Sequence, residues 1–434
     1  MTSIRLAFRI PANLSLSLLR GATLSIGIRV TGLALAFLAQ VLISRMSGAD
    51  AYGLYMYCFA WLALLLVFTR SGTDEALVRF LPELAKDEEN RQSLIHWAHA
   101  RTVFPAWLLM LLMLMLAAGL YLMSDPDFAV ILASVAPFVP VLTLLWIYQA
   151  RLRSTGKTLA AFLPNEILRP LLLIALLVGF FVAGSRPSVS ALLWLSLVAT
   201  TVAVSLMAGF ARESGTRITS QVVDAARQWN RTANHFFLIS LCVLGTTTID
   251  ILVVGTVLSA EQTGYYAAAQ RLASLAGFGS MAITLIVAPM LPTMLADPKR
   301  RTETERLLRY GARLATFFVI AVGLAMWFTR DSLLGMFGSG FEMAGYTLGI
   351  LLIAQLVTAA SGSVITLMMM SGDERPALMI IASCSVVNLV LCSLLTMKLG
   401  LPGAAIAILV TSLLQQVGLS VLARQKLGIR TDCL

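Results

Sequence analysis

Long apolar stretches alternate with short polar connections along the whole chain. The stretch from Gly21 to Ile43 contains a single charged residue. A run of about 20 apolar residues, at about 1.5 Å each, matches a hydrocarbon core about 30 Å thick, so this stretch predicts a membrane-spanning helix. The polar break from Ser44 to Asp50 predicts a turn. Residues 52–73 then return across the bilayer, with Tyr52, Tyr55 and Tyr57 expected at the membrane interface.

The same pattern recurs along the chain and predicts an all-α integral membrane protein. Twelve stretches are long and apolar enough to span the bilayer, and they fall into two groups of six. The predicted spans are 21–43, 52–73, 97–123, 128–150, 159–184, 188–210, 234–258, 264–290, 311–329, 344–370, 377–397 and 402–423.

Composition supports this class. Hydrophobic residues make up 58% of the chain and charged residues 12%, with a mean hydropathy of +0.85, which lies outside the range of soluble proteins. The five cysteines show no paired metal-ligand spacing, so neither a disulfide framework nor a zinc site is predicted. We expect no bound cofactor, although coupling to a proton or sodium gradient stays open.

The basic residues predict the orientation in the membrane. The net charge is +10, and the odd-numbered connections carry few cations, whereas the termini and the even-numbered connections carry many. The rule that cytoplasmic loops are positive therefore places both termini in the cytoplasm. Because these residues lie on one membrane side and form no patch interleaved with aromatic residues, nucleic acid is excluded as a partner. The basic residues of the odd-numbered connections are Arg45, Arg186, Arg330 and Lys398.

An internal repeat relates the two groups of spans. Four residues of the first half, Ser47, Gly53, Tyr55 and Pro82, recur with nearly the same spacing as Ser259, Gly264, Tyr266 and Pro292. Six spans in each half give the halves the same orientation, as expected of two parallel six-helix bundles. The predicted segments are a cytoplasmic N-terminal segment 1–20, a first bundle 21–211, a linker 212–231, a second bundle 232–424 and a cytoplasmic tail 425–434.

Ionisable residues inside spans are the candidate site. Inserting an arginine near the middle of a span costs about 2.5–3.5 kcal/mol of free energy on insertion scales. Each such residue should therefore have a partner or face a water-filled pathway. Structural ion pairs are one interpretation. The excess of arginines favours a cationic pocket, because a guanidinium binds phosphate or pyrophosphate oxygens bidentately. The candidates are Arg29, Arg70, Glu166, Arg169, Asp250 and Arg271.

Two of these groups have their own alternatives. Asp250 either pairs with an arginine or titrates and couples transport to a cation. Glu166 and Arg169 lie at positions i and i+3 of the fifth predicted span, and we expect them to satisfy each other.

No enzymatic motif is present, and the chain is predicted not to be an enzyme. Gly156-Lys157-Thr158 resembles the end of a phosphate-binding loop, but Arg151 stands where that loop needs its first glycine. The three histidines, His96, His99 and His235, lie near the predicted cytoplasmic interface without metal-ligand spacing.

In its order of motifs, the chain resembles the polysaccharide transporters of the multidrug/oligosaccharidyl-lipid/polysaccharide exporter superfamily, the O-antigen flippase type. The resemblance covers nearly the whole length. It rests on Arg29 with Gly32, Gly53-Leu54-Tyr55, Gly72, Asp74, Arg79-Phe80, Asp250 with Gly255, Gly264-Tyr265-Tyr266, Gln270-Arg271, Phe337-Gly338, Phe341-Glu342, Gln355, Asn388 and Gly400-Leu401-Pro402-Gly403.

The resemblance implies a V-shaped pair of six-helix bundles that flips an undecaprenyl-pyrophosphate-linked oligosaccharide across a bacterial inner membrane by alternating access. It implies that Arg29, Arg70, Gln270 and Arg271 line the substrate cavity. The implied partners are the lipid-linked oligosaccharide, membrane lipids, and a polysaccharide polymerase with its chain-length regulator. The peptidoglycan-precursor flippases of the same superfamily usually have two further C-terminal spans, which are not expected here.

Three other functions compete with this interpretation. A cation-coupled drug exporter of the same superfamily should have an acidic cavity, which the arginine excess disfavours. A polysaccharide polymerase or ligase should have a large outward loop, whereas all predicted outward loops are short. A major-facilitator carrier should have a glycine-aspartate-arginine signature between its second and third spans, and that region here reads LVRFLPELAKDEENRQ.

Overall fold

The computed structural model describes most of the chain. Residues 1–15 of the predicted N-terminal segment and residues 212–222 of the predicted linker lie outside the described part. The described residues are 16–84, 87–123, 126–184, 186–211, 223–287, 291–295, 301–370, 374–429, 431 and 433.

The first half is built from eight α-helices and one π-helix. Their bounds are α1 Leu16–Arg70, α2 Thr73–Glu83, α3 Glu88–Met123, α4 Pro126–Val135, α5 Phe138–Ser154, α6 Thr158–Leu163, the π-helix Pro164–Leu168, α7 Arg169–Val182 and α8 Val189–Phe210.

The second half contains ten described α-helices and a short 3₁₀-helix. Their bounds are α9 Val223–Thr247, α10 Ile249–Val257, α11 Ala260–Val287, α12 Leu291–Leu295, α13 Arg301–Phe328, α14 Arg330–Gly335, the 3₁₀-helix Phe341–Ala344, α15 Gly345–Ala360, α16 Val364–Met370, α17 Glu374–Leu399 and α18 Leu401–Lys426.

The helices confirm an all-α membrane protein. In the described part, nine helices are long and apolar enough to cross a membrane, or ten if α9 and α10, which meet at 51°, form one span. One of the nine, Gly27–Arg70, has 44 residues. At 1.5 Å per residue it would be about 66 Å long, twice the hydrocarbon core, so we interpret it as two spans. Counted in this way, the described part contains ten spans, or eleven with the bent pair, and the predicted twelve is not reached.

The first connection is tighter than the sequence predicted. Instead of a turn over Ser44–Asp50, helix α1 continues to a single non-helical residue, Gly48, at φ 84° and ψ 174°. This region of conformational space is open to glycine and strained for other residues, so one residue is enough to bend the chain. The two arms of α1 therefore remain packed close together.

The placement of Tyr52 and Tyr55 at the membrane interface was wrong. Tyr52 has no exposed surface and Tyr55 is 6% exposed, and both belong to the main core cluster. That cluster contains residues of both halves, including Tyr266 and Phe337. A hydropathy argument treats one helix at a time, so it cannot see that Phe337 of the second half packs on Tyr52 or that Ser196 of α8 bonds to Tyr55.

Candidate functional site

The two halves meet in backbone contact at the repeated glycines. A Cβ atom added to Gly53 of α1 would lie 1.8 Å from the carbonyl oxygen of Ala260. A Cβ atom added to Gly264 of α11 would lie 2.4 Å from the carbonyl oxygen of Ala49. Only glycine permits this approach, so the crossing of α1 and α11 is a tight junction between equivalent helices.

Polar contacts close the same end of the interface. The hydroxyl of Ser44 donates to the carbonyl oxygen of Phe337 at 2.7 Å. The Nε atom of Arg45 donates to the carbonyl oxygen of Met336 at 2.6 Å. The rings of Tyr52 and Phe337 pack at a centroid distance of 6.0 Å. The predicted outward end is therefore sealed by helix α1 of one half and the connection after α14 of the other.

Arg29 is half-buried on the first arm of α1. Its guanidinium lies 4.8 Å from the ring centroid of Phe162, a cation–π contact. One turn later, a Cβ atom added to Gly32 would lie 2.6 Å from the carbonyl oxygen of Glu166. This arm therefore packs directly on the π-helix, with Arg29 just beyond the contact.

The π-helix and the first residue of α7 hold three polar side chains inside an apolar span. The amide nitrogen of Asn165 donates to Glu166 at 3.3 Å, and Nη1 of Arg169 donates to the amide oxygen of Asn165 at 3.3 Å. Glu166 and Arg169 thus interact through Asn165 rather than by the direct i,i+3 contact that we expected. The wider turn of a π-helix changes the spacing of side chains along the helix, and such bulges are frequent at functional sites.

Arg271 approaches the π-helix from the other half. It lies on α11, and its Nε atom is buried without a hydrogen-bond partner in the described part of the chain. Tyr52 and Glu166 are close enough to interact electrostatically with its guanidinium. The structure thus brings Arg271 near Glu166, on the π-helix against which the arm bearing Arg29 packs.

Asp250 occupies a separate, enclosed position. It is 1% exposed and lies in the first turn of α10. Its Oδ2 atom accepts hydrogen bonds from the hydroxyl of Tyr266 at 2.7 Å and from the amide of Gln270 at 2.6 Å. Both donors are neutral, and no arginine pairs with Asp250 among the described residues. The helix N-terminus adds a favourable partial charge to the carboxylate.

Helix α17 donates hydrogen bonds to two backbone carbonyls near the C-terminal end of α9. The hydroxyl of Ser385 donates to the carbonyl oxygen of Cys242 at 2.7 Å, and the amide of Asn388 donates to that of Gly245 at 3.1 Å. Thr411 of α18 in turn donates to the side-chain oxygen of Asn388 at 3.2 Å. The roles of Ser385 and Thr411 were not found from the sequence. For Ser385, the sequence signal is a polar residue three positions before Asn388, on the same face of α17.

Arg70 is engaged elsewhere. Its Nη1 atom lies 2.8 Å from Oδ2 of Asp74, and its guanidinium stacks 4.6 Å from the ring centroid of Trp146. These contacts lie within the first half, at the C-terminal end of α1. Gln270, by contrast, belongs with Asp250, one residue before Arg271. The predicted site residues therefore fall into three places rather than one.

The part of the chain that the structure describes shows no group of three or more histidine, cysteine or acidic residues that could hold a metal ion.

Comparison with known proteins identifies the family. The model of the family described as polysaccharide biosynthesis protein matches residues 18–295. No curated protein sequence matches the chain.

Solved structures with the same fold are exporters and flippases. An inward-facing multidrug resistance MATE family transporter of the MOP superfamily has 17% identity and a TM-score of 0.70, with 98% of each chain covered. The lipid II flippase MurJ in an inward closed conformation has 14% identity and a TM-score of 0.74, covering 93% of this chain and 87% of its own. A MOP superfamily transporter from Pyrococcus furiosus has 16% identity and a TM-score of 0.68, covering 94% and 95%. At these identities the likeness establishes the fold of the MOP superfamily.

Proposed function

Because the chain belongs to the polysaccharide biosynthesis protein family, we propose that it is a flippase for an undecaprenyl-pyrophosphate-linked oligosaccharide. It would act by alternating access in a bacterial inner membrane, with both termini in the cytoplasm, and supply O-antigen, capsule or exopolysaccharide synthesis. A polysaccharide polymerase and its chain-length regulator would act on the product. No catalytic step is required of this chain.

The observation that carries the proposal is the environment of Arg271. A guanidinium buried in a membrane protein is costly and is retained where it serves a function. Its Nε atom has no hydrogen-bond acceptor among the described residues. A pyrophosphate group would supply such acceptors and bind the planar guanidinium bidentately. Arg29, on the helix that packs against Glu166, would provide a second cation from the other half.

Transport by reconstituted protein tests this proposal. The purified protein is placed in proteoliposomes that contain undecaprenyl-pyrophosphate oligosaccharide, and the exposure of the glycan to an external probe is followed with time. We expect Arg271→Gln and Arg29→Gln to reduce the rate at least about tenfold, the value of one lost charged hydrogen bond. Arg186→Gln, in a predicted outward connection, is the matched control and should transport normally. Wild-type rates in both cavity variants would contradict the cationic pocket.

We propose that Asp250 couples this transport to a proton or a sodium ion. The carboxylate is fully enclosed, it accepts hydrogen bonds from the neutral side chains of Tyr266 and Gln270, and no cation pairs with it among the described residues. Binding of a cation would neutralise it at low cost in a site of low dielectric constant. The Asp250→Asn variant should transport at the same rate with and without an imposed ion gradient. A gradient dependence equal to that of the wild type would leave Asp250 a structural role.

The buried carboxylate also supports a second candidate, a cation-coupled drug exporter. An uncompensated anion is the group that such an exporter needs for a cationic drug or its coupling ion. The same vesicles distinguish the two functions. Efflux of a cationic dye without movement of the lipid-linked glycan would establish the drug exporter and refute the flippase.

A further inference from the structure

A second cationic cavity lies at the other end of the interface between the halves, away from Arg271. It has a volume of about 240 Å³ and is lined by Arg79, Arg231, Thr232, His235 and Phe236. Arg79 belongs to α2 of the first half, and the other four belong to α9 at the start of the second half. The positive-inside rule places this end on the cytoplasmic side.

The geometry of α9 explains why these side chains converge. Arg231 and His235 are four residues apart and therefore share one face of the helix. The adjacent face is used differently, because Arg101 of α3 donates to the side chains of Asn230 and Asn234. One face of α9 therefore packs against α3, and the neighbouring face, which carries Arg231 and His235, is turned toward α2.

Tight packing holds the two walls of this cavity in place. A Cβ atom added to Gly72, at the start of α2, would lie 2.2 Å from the carbonyl oxygen of Ala233. The rings of Phe68 and Phe237 pack at a centroid distance of 5.7 Å. The arginines of the two walls are therefore presented on a preformed scaffold rather than on a loose connection.

Among the described residues, none of the acidic side chains beside this cavity pairs with Arg79 or Arg231. No carboxylate is among the lining residues. On α2, Asp74 pairs with Arg70 at 2.8 Å and Glu75 lies 3.9 Å from Arg153. Arg79 has only a cation–π contact, 5.5 Å from the ring centroid of Phe80, among its contacts with described residues. The cavity thus presents the guanidinium groups of Arg79 and Arg231 and the hydroxyl of Thr232 to an anion.

The size of the cavity indicates the size of that anion. At about 30 Å³ per water molecule, its volume equals that of about eight waters. Pockets that enclose whole drug-sized ligands are about 300–1,000 Å³. A diphosphate headgroup therefore fits this volume, whereas an oligosaccharide attached to it would extend beyond the cavity into the aqueous phase.

We propose that Arg79, Arg231, Thr232 and His235 form a docking site for the diphosphate group of a lipid, where the substrate is captured before it enters the interface between the halves. This inference rests on the proposed function and on the predicted orientation. The residues of this docking site have a different task from Arg271. They set how readily the substrate is loaded, whereas Arg271 holds it during translocation.

Binding of inorganic pyrophosphate tests the docking site directly. The full-length protein in phosphatidylcholine nanodiscs is titrated by calorimetry, together with Arg79→Gln, Arg231→Gln and the double variant. Each single substitution should weaken binding about tenfold. Arg306→Gln removes an exposed arginine from α13 on the same predicted membrane side and is the control, with unchanged affinity. Equal affinity in all variants would overturn the site.

A second titration separates the substrate headgroup from ordinary anionic lipid. Nanodiscs of phosphatidylcholine mixed with phosphatidylglycerol should leave pyrophosphate binding nearly unchanged, because a phosphodiester offers one charge and fewer oxygens than a diphosphate. If phosphatidylglycerol abolishes pyrophosphate binding, the site takes any anionic headgroup and the capture role is wrong.

Transport kinetics distinguish failure of this inference from failure of the proposed function. In wild-type proteoliposomes that flip the substrate, Arg79→Gln and Arg231→Gln should raise the half-saturating substrate concentration about tenfold and preserve the maximum rate. Arg271→Gln should lower the maximum rate. Normal kinetics in the first two variants would refute capture. If the wild type flips no lipid yet binds pyrophosphate through Arg79 and Arg231, the flippase fails and with it the capture role.

Discussion

The two halves of the molecule share a scaffold and differ in chemistry. Two pairs of counterparts, Gly53 with Gly264 and Tyr55 with Tyr266, lie 211 positions apart. Yet the hydroxyl of Tyr55 meets the hydroxyl of Ser196 at 2.9 Å, whereas that of Tyr266 donates to the carboxylate of Asp250 at 2.7 Å. The same residue therefore serves a neutral contact in one half and a charged contact in the other.

The counterpart positions explain this difference. Ala39 occupies the position equivalent to Asp250, and Phe59 that equivalent to Gln270. In the first half, Phe59 stacks on Tyr55 at a centroid distance of 4.7 Å, and Ala39 is buried. Two apolar residues thus replace a carboxylate and its amide donor.

Helix continuity differs in the same way. The first arm of α1 runs unbroken to Gly48, whereas its counterpart is broken between α9 and α10 with a bend of 51°. Near this break, Ser385 and Asn388 donate hydrogen bonds to backbone carbonyls of α9. The comparison teaches that packing positions were retained in both halves, while the fully buried carboxylate of Asp250 and a broken helix occur in one.

The largest expected effect concerns the shared scaffold. Gly53→Ala should destabilise the protein by about 3 kcal/mol, because the new methyl group meets the backbone of Ala260, which cannot rotate away. The control is Gly119→Ala on α3, where nothing lies within 4 Å and alanine should stabilise the helix by about 0.5–1 kcal/mol. The midpoint of thermal aggregation in detergent measures both. Equal midpoints would mean that the halves do not rely on this crossing.

An intermediate effect separates the two repeated tyrosines. Tyr266→Phe removes a hydrogen bond to a buried carboxylate and should cost about 1.5–3 kcal/mol, whereas Tyr55→Phe removes a bond to a hydroxyl and should cost about 1 kcal/mol. Thermal midpoints of the two variants give the ranking. Ion-gradient dependence of transport should change only in Tyr266→Phe. If Tyr55→Phe is the more damaging, the chemical division between the halves is wrong.

The smallest expected effect tests the seal at the predicted outward end. Ser44→Ala removes one hydrogen bond to the Phe337 carbonyl and should cost about 1 kcal/mol. Amide hydrogen exchange across residues 335–341 should then be about fivefold faster. Ser205→Ala is the control, since its hydroxyl bonds only to Thr201 of its own helix at 2.9 Å. Unchanged exchange in Ser44→Ala would show that Phe337 is held by packing alone.

Much of the architecture could be predicted because its signals are local. The apolar spans, the repeat with Gly53 and Gly264, and the ionisable residues inside spans were all visible along the chain. The family was indicated by the same motifs and confirmed by the match to residues 18–295. The pairing of these ionisable residues was not predicted. Arg70 found a carboxylate in Asp74, four residues later, and a π-helix changed the spacing between Glu166 and Arg169.

The sequence by itself determined a multi-pass all-α protein with two related halves, because the free energy of placing each helix in a membrane depends on its own residues. Only the tertiary structure decided which faces meet. It buried Tyr52 against Phe337 of the second half and Tyr55 against Ser196 of α8. It also brought Arg271 near Glu166 of the other half. It also joined Arg79 to Arg231 across about 150 residues. Such contacts depend on packing between helices that are distant in sequence, and no pattern within one helix records them.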